Sequence, residues 1–122
     1  MAGVVAMKLD KLVKEFGDCV AAQTRCIERG DAAAGNKYAK RYIKAFDKLC
    51  SQGAAGRDAL AVLLDDARPD VRVMAASFLL RHSKEKAMRV LQEEAKKTGF
   101  IAFGAQQALD RWKDGSWALD PE

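Results

Sequence analysis

Apolar residues recur along this chain at steps of three and four, the period that gathers one stripe on one face of an α-helix. Over about residues 7–29, Leu9, Leu12, Val13, Phe16, Val20, Gln23 and Ile27 form such a stripe. A second helix is predicted to about residue 52, with Tyr38, Tyr42, Ala45, Phe46 and Leu49 inward and Asp31 as its N-cap. A third, over about 57–67, carries Leu60, Leu63 and Leu64 and stops at Arg68-Pro69, because proline disfavours helical geometry in the residue before it. Pro69 then opens a fourth helix, losing no bond it would have made, and Asp70 meets the positive end of the helix dipole. Ser83 is placed to cap a fifth helix to about 97, and a sixth follows over about 100–114 with Phe103, Ala105, Leu109 and Trp112 inward. Glycines 30, 53, 56, 99 and 115 fall where periodicity lapses, the positions that favour a left-handed residue after a helix. No stretch signals a strand.

The pattern predicts an all-α chain of three helical hairpins, over residues 7–53, 56–82 and 83–115, with a tail over 116–122, in one domain. Helix four locates the middle. Val71, Ala75, Phe78, Leu79 and His82 share one face, yet Val73, Ala76 and Leu80 lie on the other side. A helix apolar nearly all round needs neighbours on several sides. An internal repeat supports the pairing: Ala59-Leu60-x-Val62-Leu63-x-Asp65-Asp66-Ala67 aligns with Ala87-Met88-x-Val90-Leu91-x-Glu93-Glu94-Ala95. Stacked hairpins repeat on this scale, since one hairpin cannot bury its apolar face alone.

Asp70, Val71, Arg72, Ala75, Ala76 and Leu79 match the Asp-Val-Arg-x-x-Ala-Ala-x-x-Leu pattern of second helices in the HEAT-repeat superfamily, which the chain resembles over this repeat. Residues 56–118 also resemble a small bacterial family of HEAT-like proteins of unknown function. That likeness rests on Gly99-Phe100-x-Ala102-Phe103-x-Ala105 and Leu109-x-x-Trp112-Lys113-x-Gly115-x-Trp117. The resemblance implies a HEAT/ARM-like α-α superhelix and no particular activity. It also implies that an arginine at position 72 pairs with a turn aspartate, with Asp65, Asp66 and Asp70 as candidates.

Composition narrows the function classes. With 122 residues the chain can bury a core without staples. Cys19, Cys26 and Cys50 form an odd set without a Cys-x-x-Cys spacing, which reads as reduced thiols and a cytoplasmic address. The first residues lack the basic region and length of a signal peptide or membrane span. Net charge is +4. Residues 1–53 hold ten Lys or Arg against six Asp or Glu, and residues 54–122 hold eleven of each, so the excess is N-terminal.

No catalytic, metal or cofactor constellation emerges. His82, in phase with the core face of helix four, reads as a core histidine or one at a helix end, either of which outweighs a dyad with a distant cysteine. Ser83-x-x-Lys86 matches a penicillin-binding motif without its companions, and Asp65-Asp66 and Glu93-Glu94 read as surface charge. The functional candidate is a basic stripe on helix two, Lys37, Arg41, Lys44 and Lys48 with Lys40 beside them, opposite Tyr38, Tyr42 and Leu49. An ordinary solvated face has the same pattern. In stacked hairpins the second helices line one side, so the stripe, Arg72 and Arg111 would form an anion-attracting surface across helices two, four and six. Trp117 in the tail is either a cover for the last hairpin or an anchor for a partner, a second copy of the chain included. These features predict a non-catalytic protein-binding module. The alternatives are a nucleic-acid-binding or DNA-modifying protein, against which the small net charge counts, and a toxin-neutralising immunity protein.

Overall fold

The computed structural model describes residues 2–116, with side chains from residue 7 onward. Among the described residues there are six α-helices and no strand. They fall into two compact units that divide between Leu60 and Ala61.

The first unit is built on a long antiparallel pair, α1 (Ala2–Glu28) and α2 (Ala32–Cys50), followed by the short α3 (Ala54–Leu60). The pair forms because each helix buries one stripe against the other. Leu9, Val13, Phe16 and Val20 of α1 meet Tyr42, Ala45, Phe46 and Leu49 of α2 as a buried seam. The rings of Phe16 and Tyr42 stand 5.5 Å apart, tilted at 60°. Asp31 caps α2 as its position predicts, its side chain accepting from Ala34 N at 3.1 Å. Gly30, with φ 73°, makes the turn between the two helices. Ile27, expected inward, is 49% exposed, because its neighbour Cys26 takes the buried position against Gly35 of α2.

Gly56 departs from its expected role. It is not a left-handed terminator but lies buried within α3, where an added Cβ would run into the carbonyl oxygen of Leu49 on α2. Its missing side chain permits that close approach of helix to helix.

The predicted third helix over 57–67 is broken. Ala54–Leu60 is α-helical, whereas Ala61–Asp65 continues as a 3-10 turn at the start of the second unit. Tightening to three residues per turn keeps Leu64 buried and turns Val62 outward, 63% exposed.

The second unit adds α4 (Pro69–Leu79), α5 (Lys84–Ala95) and α6 (Phe100–Asp114). Arg68, extended at φ −89° and ψ 125°, precedes Pro69 in the first helical turn. The 3-10 turn, α5 and α6 all pack on α4. Val71, Val73, Ala75, Ala76, Phe78, Leu79 and Leu80 are accordingly buried around its circumference. His82 is not among them. The helix ends at Leu79, so His82 falls in the following turn and is exposed: of its two expected places, core or helix end, it takes the second. Ser83 holds the N-cap position of α5, but its side chain makes no capping bond. On α6 the small residues Ala102, Ala105 and Ala108 form the buried face, and Phe103, expected inward, is 64% exposed. Alanines let α6 approach its neighbours closely and leave the phenylalanine on the outer side.

Candidate functional site

Arg72 reaches back from the first turn of α4 to the loop before it. Its Nη1 donates to the carbonyl oxygens of Asp66 at 2.7 Å and Ala67 at 3.1 Å, and its Nη2 donates to Glu94 Oε1 at 2.6 Å. The expected structural role is present, but the partner differs: the backbone of Asp66 and the carboxylate of Glu94 replace an aspartate side chain. Glu94 is 4% exposed, not the surface charge its pairing with Glu93 suggests. Burial alone would raise its pKa, yet hydrogen bonds from Arg72 and Lys97 outweigh that and hold it below the ordinary value. In the internal repeat Asp66 and Glu94 occupy equivalent positions, so one guanidinium bridges two copies of the same site. Asp70 is likewise engaged internally, accepting from Arg68 Nε at 3.0 Å and Nη2 at 2.9 Å. Lys86 of the Ser-x-x-Lys match is paired with Asp65 at 2.6 Å.

The stripe on α2 behaves differently. Lys37, Lys40, Arg41, Lys44 and Lys48 are all exposed. Arg41 is held in place: Nε and Nη2 donate to Glu15 Oε1 at 3.0 and 2.6 Å, and its guanidinium sits 5.6 Å from the Tyr38 ring centroid. Tyr38 is therefore a partner of the stripe and not its opposite face. The same Glu15 oxygen accepts from Cys19 Sγ at 3.2 Å. Hydrogen bonds from Cys19 and Arg41 keep the Glu15 carboxyl below its usual range. Burial first, then the bond to Glu15, pushes the Cys19 thiol up to about 11. A thiol so disposed is a donor that orients Glu15, and it is a weak nucleophile near neutral pH.

Arg41, Lys44 and Lys48 line an open groove of about 410 Å³ along the α1–α2 seam, completed by Lys11, Leu12 and Glu15 of α1 and by Ala45. Four cations therefore face one carboxylate over an apolar floor of half-buried Leu12 and buried Ala45. Lys11, Lys44 and Lys48 have no ion pair or side-chain hydrogen bond among the described residues, and neither has Lys37, which lies outside the groove. Lys11 and Glu15 in the groove, and Cys19 donating to Glu15 from outside it, are what sequence reading missed. Their spacing of four on α1 carried the signal, but only docking of α2 reveals the role.

A family model for a domain of unknown function, DUF2019, matches residues 10–112. The chain belongs to that family. No curated protein and no solved structure matches it. The DUF2019 match begins in α1 and ends in α6, so it takes in both the groove and the Arg72–Glu94 pair. Among the described residues no helix of this DUF2019 protein is long and apolar enough to cross a membrane. No group of three or more His, Cys, Asp or Glu side chains that could hold a metal is present among them either. Arg111 is exposed near the end of α6 and lines neither the groove nor the surroundings of Arg72, and Trp117 lies outside the described residues.

Proposed function

We propose that this DUF2019 protein is a non-catalytic, cytoplasmic binding module of HEAT-like helical repeats that recognises an acidic protein partner through the cationic face of α2. The observation that carries the reading is the set of lysines at 37, 44 and 48, solvated and without an ion pair among the described residues, on the helix that walls an apolar-floored groove. A partner that brings carboxylates to them gains charge complementarity without breaking any bond that holds the fold, which favours fast and selective encounter. Arg72 is assigned to the fold, because its donors are committed to Asp66, Ala67 and Glu94.

A protein fits better than single-stranded nucleic acid. Sequence-tolerant nucleic-acid grooves offer open aromatic faces on which bases stack. Here Arg41 lies over Tyr38, and Tyr42 is buried with its hydroxyl donating to Gln23 at 3.1 Å.

The test is capture from native extract on wild type beside a Lys37→Glu/Lys44→Glu/Lys48→Glu variant. None of these lysines bonds within the described fold, so circular dichroism should match wild type. Loss of a specific acidic protein from the variant is the expected result. Identical catches, or capture of nucleic acid in place of protein, would overturn the reading.

A further inference from the structure

Resting on that reading, we infer that the groove between α1 and α2 is the seat of an acidic amphipathic helix, which lies along α2 as a third helix of the pair. The groove has the form that side-on helix docking requires. Its floor is Ala45 and Leu12, and its walls are Arg41, Lys44 and Lys48 on one side with Lys11 on the other. Ala45 is 3% exposed and small, so it leaves a hole between longer side chains into which an apolar knob can enter. Lysine stems flanking that hole add apolar surface while their ammonium groups stay in water.

Spacing selects a helix as the occupant. With a rise of about 1.5 Å per residue, Arg41, Lys44 and Lys48 stand at about 0, 4.5 and 10.5 Å along the α2 axis. A facing helix with carboxylates at i, i+3 and i+7 repeats those intervals and presents its residue i+4 opposite Ala45. An apolar i+4, best leucine, completes the match. Arg41 is pre-oriented by two bonds from its guanidinium to Glu15, whose position the Cys19 thiol also fixes. One cation is thus held ready while Lys11, Lys44 and Lys48, which have no ion pair among the described residues, supply the net attraction. Lys37 is on the same face of α2 but outside the groove, which separates docking in the groove from general attraction to a positive surface.

Three fluorescent probes test this on the full chain by anisotropy. One is an alanine-based helical peptide with glutamates at i, i+3 and i+7 and leucine at i+4. The second has the same composition with the glutamates distributed over all faces, and the third is a thymidine oligonucleotide. The patterned peptide is expected to bind roughly tenfold tighter than the distributed one. Lys44→Glu/Lys48→Glu should remove that advantage, whereas Lys37→Glu should weaken both peptides alike and leave the advantage in place, since Lys37 adds general attraction without lining the groove. Equal binding of both peptides, or loss of the advantage in Lys37→Glu as well as in the groove variant, would overturn helix docking while leaving an acidic protein partner standing. Absence of binding by the patterned peptide would overturn it too. Tighter binding of the oligonucleotide than of either peptide would overturn both readings.

Discussion

The two units handle charge in opposite ways. In the second unit two arginines are committed to buried carboxylates: Arg72 ties a loop to Glu94, and Arg68 holds Asp70. In the first unit a single Glu15–Arg41 contact links α1 to α2 by charge among the ion pairs described, and the lysines beside it face solvent with no ion pair among the described residues. The difference follows from how each unit is built. Long α1 and α2 stabilise each other through a continuous apolar seam, which leaves their polar faces free. Shorter α4, α5 and the 3-10 turn have less seam per helix, so buried polar bonds fix their connections. The buried carboxylates of the second unit therefore belong to the fold, and the groove cations of the first are available to a partner.

The largest expected effect breaks this contrast from the inside. Arg72→Ala leaves Glu94 buried with Lys97 as its remaining described cation and frees two loop carbonyls, and should cost about 3 kcal/mol in urea unfolding. Arg41→Ala removes an exposed pair and should shift the same curve by no measurable amount. Next, Gly56→Val drives a side chain into the Leu49 backbone and should cost about 2 kcal/mol. Gly104→Ala in α6 meets nothing and should stabilise by up to about 1 kcal/mol. Smaller again, Asp31→Ala should cost about 1 kcal/mol by uncapping α2, while Ser83→Ala changes little because its side chain makes no capping bond.

The smallest effect is that of acid. Glu94 and Glu15 both have folded pKa values below the ordinary 4.5, so their stabilisation is complete above that value and drains away as pH falls below it. Melting temperature followed over about pH 3 to 7 should lose more of its acid slope in Glu94→Gln than in Glu15→Gln, since burial amplifies the former interaction.

Much of the fold is legible in the residue pattern because helix ends are written locally. Asp31, Gly30 and Pro69 act through neighbours within four residues, and each sits where its chemistry predicts. Features set by the third dimension are not so written. A period of three and four places Phe103 and Ala105 equally well, and only close approach of neighbouring helices decides that the alanine goes inward. Glu94 reads as surface because its class is polar, yet its repeat partner Asp66, beside the Arg72 turn, was the available hint. Gly56 reads as punctuation until Leu49 is seen against it. The basic stripe was visible, but its division into groove lysines and the outlying Lys37 required α1 in place.

The account stands most directly on where an acidic partner touches the chain. Amide chemical shifts of the labelled protein, titrated with the patterned peptide, are predicted to move at Lys11, Leu12, Arg41, Lys44, Ala45 and Lys48 while residues of α4, α5 and α6 stay still. Changes concentrated on α4 to α6, or none at saturating peptide, would contradict it.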